Sequence, residues 1–230
     1  MAEPVAIITG ASSGIGKAVA LLFASSGYRL ALIVAGDLSL PSTASALVHK
    51  TIEAFGSINT LINSAGILVS GPVIDSPLSQ YDNVMDVNVR SLVQLTRECL
   101  PYLIASKGTV VNVSSITGPC PFPNVTYYCM SKAAVDQFTK CLALEMAPHG
   151  VRVNAVCPGV IVTDVHKRAG QSDEEYEKFL ERCKTTHALG RTGTVEEVAK
   201  AISFLAGHDS SFTTGDLLRV DGGRGIMHPR

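Results

Sequence analysis

The stretch "VAIITGASSGIGKA", residues 5–18, begins as an apolar, β-branched run, passes through a glycine-rich turn and ends in helix-forming residues. A strand, a tight turn and a helix N-terminus in this order point backbone N–H groups and the positive end of a helix dipole toward an anion. The stretch therefore predicts the first β-α unit of an α/β domain, with an anionic ligand bound at its turn.

The rest of the chain repeats this alternation of apolar runs and helical patterns. Apolar runs without in-out alternation suit strands that are covered on both faces, and the helical stretches between them supply right-handed crossovers. The predicted fold is α/β, a doubly wound parallel sheet of the Rossmann type in a single domain, residues 1–230. The predicted strands are 5–9, 30–34, 58–62, 110–113, 151–156 and 217–220, and the predicted helices are 14–26, 43–55, 79–105, 126–147 and 194–207.

Composition excludes several classes of function. The 230 residues carry a net charge of −1 and no block of Lys and Arg, so nucleic acid is not an expected partner. The apolar run near the N-terminus is too short for a signal peptide or a membrane span, which predicts a cytoplasmic protein without membrane association. The six cysteines show no C-x-x-C pairing and no histidine at metal spacing, so no metal site is predicted.

One alternative for the glycine-rich turn is the nucleophile elbow of a serine hydrolase. Residues 10–14 satisfy G-x-S-x-G, which makes Ser12 a rival nucleophile. The turn follows the first strand, however, and none of His149, His166 and His187 lies in a recognisable turn after a strand.

A second alternative, the phosphate-binding P-loop, fails on two residues. Ala11 stands where its first glycine is required, and Ala18 stands where it needs Ser or Thr. The third interpretation is a dinucleotide turn, in which the glycines allow a tight bend and the close approach of a pyrophosphate.

Tyr128 and Lys132 stand four residues apart in the predicted helix 126–147. They therefore share a helix face, where the ammonium can favour the ionised phenol. A tyrosine with a pKa near 10 is a poor acid or base at neutral pH, and a nearby cation makes it useful. In isolation the Y-x-x-x-K pattern is more often a surface pair than a site.

Several ordered motifs together resemble the short-chain dehydrogenase/reductase family, in its nicotinamide-dependent branch. The resemblance covers nearly the whole chain. Its motifs are T-G-x-x-x-G-x-G at Thr9–Gly16, N-x-A-G at Asn63–Gly66, a helix Asn at Asn88, Ser115 thirteen residues before Tyr128, P-G-x-x-x-T at Pro158–Thr163, and "VDGG" at Val220–Gly223.

The resemblance implies an oxidoreductase that transfers a hydride between a nicotinamide cofactor and a secondary alcohol or ketone, a small-molecule substrate. Tyr128 would be the general acid and base, and Lys132 would lower the pKa of Tyr128 and hold the nicotinamide ribose. Ser115 would hydrogen-bond the substrate oxygen, and Asn88 would hold a helix irregularity and a proton-relaying water. The family also implies a homodimer or homotetramer built through the long helices 79–105 and 126–147.

The same resemblance implies a set of cofactor-binding residues. Residues 63–66 would line the adenosine side, and Ile161 and Thr163 would hold the carboxamide. The full set is Gly10, Ser12, Ser13, Gly14, Ile15, Gly16, Asp37, Asn63, Ala65, Gly66, Tyr128, Lys132, Pro158, Gly159, Ile161 and Thr163.

The stretch "RLALIVAGDLSLPSTAS", residues 29–45, departs from the family pattern. Only 47 positions separate Gly16 from Asn63, so one strand and its helix are expected to be missing. Asp37 lies 21 positions after Gly16, where it could be the ribose acid that implies NAD, but its context favours the turn after the family's third strand; a plain exposed turn residue is the third option. The residue that selects between NADP and NAD is then absent, with NADP slightly preferred.

Two further questions follow from the sequence. The shortened region raises the alternative of a catalytically silent interaction module with an impaired cofactor site, whereas an intact Ser115, Tyr128 and Lys132 favour an enzyme. The charged segment 164–190 is either a solvated helical face or a lid over the substrate site.

Overall fold

Six parallel strands form one sheet at the centre of the protein, which the computed structural model describes for residues 3–31 and 36–227. The strand order is β2-β1-β3-β4-β5-β6, and each neighbouring pair is parallel. The strands are β1 Val5–Ile8, β2 Arg29–Ala31, β3 Thr60–Asn63, β4 Thr109–Val113, β5 Arg152–Pro158 and β6 Leu217–Val220.

Helices cover both faces of this sheet, as the uninterrupted apolar strands require. The helices are α1 Gly14–Ser25, α2 Pro41–Phe55, α3 Leu78–Met85, α4 Ser91–Ser106, α5 Thr126–Met146, α6 Val165–Arg168, α7 Asp173–Thr186 and α8 Val195–Ala206. Helices α2, α4 and α5 bury Leu47, Leu95 and Leu142 against one face. Helices α1 and α8 bury Phe23 and Ile202 against the other.

The predicted α/β fold is therefore confirmed, and its strands fall within two residues of the predicted bounds wherever both ends are described. Residues 32–34 of the predicted second strand lie outside the described residues. The predicted helix 79–105 is instead two helices, because a π-helical turn over Asp86–Arg90 separates α3 from α4.

The strand order shows where the chain is shorter than its family pattern. β2 is the terminal strand beside β1, and α2 returns directly to β3 on the other side of β1. The single strand outside β1 in the described part of the sheet agrees with the expected loss of one β-α step.

Segment 164–190 contains the two helices that the sequence did not delimit. α7 begins with a capping box, in which Ser172 and Glu175 exchange side-chain and backbone hydrogen bonds, and its charged side faces solvent. Tyr176 and Cys183 on its other side are buried. The charged side of α7 is thus solvated and its opposite side packs on the protein, which leaves both interpretations of the segment open.

Within residues 3–31 and 36–227, no helix has the length and apolar character needed to cross a bilayer. The same residues contain no group of three or more His, Cys, Asp or Glu side chains arranged to hold a metal ion.

Candidate active site

The glycine-rich turn after β1 packs directly on the loop after β3. Gly10 has a positive φ of 68°, and a Cβ atom placed on it would lie 3.0 Å from the Cα atom of Ala65. The Thr9 hydroxyl oxygen accepts hydrogen bonds from the backbone N–H groups of Ser64 (2.9 Å) and Ala65 (3.0 Å). One side chain therefore joins the two loops that were predicted to bind the cofactor.

The turn ends at α1 in a form suited to an anion. Ser13 is the N-cap of α1 with an extended backbone, its side chain makes no capping hydrogen bond, and the first turn holds no acidic residue. Ser12 is exposed, and Ile15 lies half-buried in the first turn. A Cβ atom on Gly16 would overlap the carbonyl of Gly10, so this position accepts only glycine. The uncapped N–H groups and the glycine cradle fit a pyrophosphate.

The loop after β5 meets this turn from the other side. A Cβ atom on Gly14, whose φ is 55°, would lie 3.3 Å from the Thr163 methyl carbon. Pro158 ends β5, Gly159 packs against the backbone of Asp221, and the Ile161 side chain is buried in the core. The structure thus brings together the predicted residues 10–16 and 158–163.

The resemblance implied that Asn63 lines the adenosine side, but the Asn63 side chain is buried within the sheet. Its side chain is 3% exposed and donates hydrogen bonds to the Thr96 hydroxyl (3.1 Å) and to Asn112 Oδ1 (2.9 Å). Asn63 and Asn112 are register partners on β3 and β4, so their side chains point to the same face. Asn63 is therefore a buried link between strands and α4, while its neighbours Ala65 and Gly66 face the site.

Asn88 lies at the centre of the π-helical turn, where a helix irregularity was expected. Its side-chain oxygen accepts from the Ile67 N–H (2.8 Å), and its nitrogen donates to the Ile67 carbonyl (2.9 Å) and to the Ser131 hydroxyl (3.0 Å). The irregular turn carries the amide inward to these partners, with 1% of the residue exposed. Asn88 thereby fixes the loop after β3 to helix α5.

Lys132 lies at the meeting point of these elements. Its ammonium donates to the Val113 carbonyl (2.9 Å) and lies 5.5 Å from the centroid of the Tyr128 ring. A Cβ atom on Gly66 would lie 3.2 Å from Asn88 Oδ1 and 3.6 Å from Lys132 Nζ. The predicted Gly66, Asn88, Tyr128 and Lys132 therefore converge at the carboxyl edge of the sheet.

Burial shifts the pKa values of both Tyr128 and Lys132. Burial raises the pKa of Tyr128 to about 12, and the Ser115 hydroxyl acts against this rise. Burial also lowers the pKa of Lys132 to about 8, while the Asp136 carboxylate acts in the opposite direction. Lys132 was expected to lower the pKa of Tyr128. In the protein without a cofactor, burial raises this pKa by more than Lys132 lowers it.

Ser115 is held beside Tyr128 by its own turn. It follows β4, it is buried, and its hydroxyl oxygen accepts from the Thr117 N–H at 3.1 Å. This hydrogen bond leaves the hydroxyl proton free to be donated. Ser115 thus joins the group that converges on Tyr128.

Asp37 lies in the turn that leads into α2. Its carboxylate accepts from the Ser39 N–H (2.9 Å), and this bond holds the pKa of Asp37 below its usual value. The side chain is exposed and is held by its own turn, which fits both the third-strand turn and a plain exposed turn residue.

The hydrolase alternative for Ser12 gains no support from the three histidines considered as its base. Both ring nitrogens of His187 are engaged by the backbone of Val160 and Cys183, and His166 packs on Tyr176. His149 precedes β5 and so lies at the opposite edge of the sheet from the glycine turn.

Sequence reasoning missed the groups that position the predicted residues. The Thr9 hydroxyl, the Val113 carbonyl and the Ser131 hydroxyl are all direct partners of the loops or side chains described above. Ser131 could have been found, because it lies on the same helix between Tyr128 and Lys132. The other two depend on strand pairing, which local spacing does not reveal.

Comparisons with known proteins identify the family of the chain. A family model described as enoyl-(acyl carrier protein) reductase matches residues 31–224. The 3-oxoacyl-(acyl-carrier-protein) reductase FabG of Thermotoga maritima is 36% identical over 246 aligned residues, which cover 95% of this chain and 96% of that protein. Because 246 exceeds the 230 residues of this chain, the alignment contains positions where this chain has no residue.

Solved structures give the same result. The ligand-free aldohexose dehydrogenase of Thermoplasma acidophilum matches with a TM-score of 0.93 and 33% identity, over 99% of this chain and 96% of that chain. ElxO with NADP bound matches with a TM-score of 0.89 and 28% identity, over 97% of this chain and 99% of that chain. The chain belongs to the short-chain dehydrogenase/reductase family, which confirms the predicted class of NAD(P)-dependent oxidoreductase.

Proposed function

We propose that the protein transfers a hydride between a nicotinamide cofactor and a secondary alcohol or ketone, with Tyr128 as the general acid in reduction and the general base in oxidation. The observation that carries this proposal is the convergence of Gly66, Asn88, Lys132 and Tyr128 beside the glycine turn. A proton donor and a cradle for an anionic cofactor at the same sheet edge are what coupled hydride and proton transfer needs.

The turn residues Gly10, Gly14 and Gly16 would hold the pyrophosphate of NADP or NAD, which their positive φ angles or close backbone packing supports. When bound, the nicotinamide ring supplies or accepts the hydride. Lys132 would hold the nicotinamide ribose, and Ile161 and Thr163 would hold the carboxamide.

We favour NADP over NAD. A carboxylate after the second strand binds the ribose hydroxyl of NAD and repels the phosphate of NADP. In this sequence the residues 32–36 after β2 carry no charge, and the Asp37 carboxylate is bound within its own turn. ElxO, a structural relative, binds NADP.

Two side chains would act on the substrate. Ser115 would donate a hydrogen bond to the substrate oxygen, where negative charge develops during reduction. Tyr128, whose pKa burial raises to about 12, is protonated at neutral pH and so is ready to give a proton to that oxygen. The free protein is therefore set for carbonyl reduction, and alcohol oxidation is expected to speed up as the pH rises.

The surroundings of the site complete the proposal. Segment 164–190 would act as a lid, because the Tyr176 hydroxyl of α7 donates to the Thr163 carbonyl at 3.1 Å and so places the helix beside the cofactor loop. The protein would work in the cytoplasm on a small carbonyl or alcohol, as a homodimer or homotetramer formed through α4 and α5.

Calorimetric titration with NADPH and then NADH tests the cofactor site. We expect micromolar binding, tighter for NADPH, followed by NADPH oxidation when aliphatic, cyclic and sugar ketones are added as a panel. A folded sample that binds neither cofactor would overturn the proposal and favour the silent interaction module, because the shortened region after β2 would then have disabled the adenosine half.

A further inference from the structure

A buried carboxylate that the proposed chemistry does not use lies one helical turn beyond Lys132. Asp136 is 5% exposed in the middle of α5. Tyr128, Lys132, Asp136 and Lys140 follow one another at intervals of four residues, so they share one face of this helix. Along this face, the exposed Lys140 and the buried Asp136 and Lys132 carry a basic, an acidic and a basic group in turn, and Tyr128 lies at the far end.

The protein makes room for this carboxylate. Gly118 lies in the loop after β4, and a Cβ atom placed there would overlap Asp136 Oδ2. The Gly118 N–H is bound to the Ser115 carbonyl (3.0 Å), so the turn that presents Ser115 also forms the wall around Asp136. The carboxylate therefore occupies space that a side chain at position 118 would fill.

Groups from two neighbouring elements lie beside Asp136. On β5, the Cys157 thiol lies 4.0 Å from Asp136 Oδ1, and in the loop after β4 the Ser114 hydroxyl donates to the Lys132 carbonyl at 3.4 Å. Burial raises the pKa of Asp136, and Ser114, Lys140 and Lys132 lower it. Burial raises the pKa of Cys157 to about 12, so this thiol is neutral and the positive groups that face Asp136 are the two lysines.

A buried ammonium needs a compensating anion, because desolvation favours its neutral form. The described contacts of Lys132 give it a carbonyl and an aromatic ring but no carboxylate within ion-pair distance. Asp136 acts on the ammonium through a low-dielectric interior, where charges interact over longer distances than in water. Its effect on Lys132 is the largest of those that oppose burial.

We propose that Asp136 is a positioning residue for catalysis: a buried counter-ion that keeps the Lys132 ammonium charged and thereby sets the pH range in which Tyr128 exchanges its proton. The inference rests on the proposed function of Tyr128. It predicts that Asp136 acts through Lys132, since two helical turns, about 12 Å along the axis, separate the carboxylate from the tyrosine.

The direction of a pH shift distinguishes this route from a direct effect. Asp136→Asn removes a negative charge, which acting directly on Tyr128 would ease its ionisation and raise the rate of alcohol oxidation without moving its pH midpoint. Because the pKa of Lys132 is about 8 and that of Tyr128 about 12, the form with a charged Lys132 beside an ionised Tyr128 stops increasing near pH 8. Acting through Lys132, the loss discharges the ammonium earlier, so it moves this midpoint downward by about one pH unit and lowers the maximal rate. An unchanged or upward midpoint in the pH–rate profile overturns the proposal.

Three controls separate charge from structure. Asp136→Glu restores the midpoint, and Glu145→Gln, which removes an exposed carboxylate from the same helix, leaves it unchanged. Gly118→Ala displaces the Asp136 carboxylate without altering any charge, so it shifts the midpoint in the same direction by a smaller amount. A purely structural Asp136 would instead lower the melting temperature and the rate at every pH with the midpoint fixed.

A second measurement does not depend on turnover. The protein is labelled with lysine enriched in ¹³C at Cε, and the Lys132 signal, assigned through Lys132→Arg, is titrated by NMR in the unmodified and Asp136→Asn proteins. A lower Lys132 midpoint in the variant supports the proposal even if no ketone is reduced, whereas equal midpoints overturn it. If the variant does not fold, the Asp136 Cγ signal of the unmodified protein decides: ionised at pH 7 supports the counter-ion, and protonated at pH 7 overturns it.

Discussion

The backbone N–H of Val160 donates to Nε2 of His187 over 3.2 Å. The other ring nitrogen, Nδ1, lies 2.9 Å from the Cys183 carbonyl, so Nδ1 carries the proton and Nε2 accepts. This buried, neutral ring joins the end of α7 to the loop that would hold the nicotinamide carboxamide.

Protonation of His187 at low pH is expected to weaken its hydrogen bond with Val160 and so to destabilise the protein. Burial lowers the pKa of His187 from 6.5, so below pH 6.5 the unfolded chain binds the proton more readily than the folded protein and the free energy of unfolding falls. His187→Gln keeps an acceptor but cannot titrate, and we expect it to flatten the decrease in melting temperature between pH 6.5 and 5. His149→Gln, at an exposed position, should leave the decrease intact, and an equally steep loss in both variants would contradict this account.

Tyr128→Phe is expected to lower turnover by about 10³-fold, because the proton donor is lost. NADPH affinity measured by calorimetry should stay within about twofold, since the ring and Lys132 remain in place to bind the cofactor. Tyr127→Phe is the matched control: its hydroxyl donates to the Ser76 carbonyl at 3.3 Å, away from Lys132, and its loss should leave turnover near the unmodified value. Retained activity in Tyr128→Phe would exclude the mechanism.

Gly16→Ala is expected to destabilise the protein even though alanine is ordinarily the better helix former. The added methyl would overlap the Gly10 carbonyl, and relieving that overlap must move the turn. We expect a loss of about 2 kcal/mol in urea unfolding together with weaker NADPH binding. Lys17→Ala, at the next and exposed position, should change neither the free energy of unfolding nor NADPH binding. A Gly16→Ala protein that is more stable than the unmodified one would show that the turn is not tightly packed.

Asn88→Ala is expected to leave the Ile67 N–H and carbonyl without their partner. Such unpaired buried groups should lower the free energy of unfolding by about 3 kcal/mol and reduce turnover, because Gly66 and Lys132 lose their common support. Asn83→Ala in α3, at an exposed position, serves as the control. If both variants unfold at the same urea concentration, the bonds to Ile67 do not carry the loop.

Sequence was sufficient to predict the sheet, because strands covered on both faces show as apolar runs such as Val5–Ile8. It was also sufficient to bring Tyr128 and Lys132 together, since a four-residue spacing fixes their relation on a helix. The helical pattern alone did not show the π-helical turn at Asp86–Arg90, because the apolar periodicity of the surrounding helix continues through it; only the family resemblance implied an irregularity at Asn88.

Two features of the site depend on packing rather than on spacing. The direction of the Asn63 side chain follows from its register with Asn112, which only the paired strands establish. The opposite pKa shifts of Tyr128 and Lys132 follow from their burial beneath loops that are distant in sequence. The proposed role of Asp136 also depends on its burial, which the four-residue spacing from Lys132 does not reveal.

The Asn88 amide pairs with both backbone groups of Ile67, as an adjoining strand would do with one of its residues. A single side chain thus substitutes for a length of extended chain. The loop after β3 gains the order of a sheet without a further strand lying across the place where Gly66 and Lys132 meet. The sheet edge beside Gly66 and Lys132 is therefore ordered by a side-chain amide rather than by the backbone of another strand.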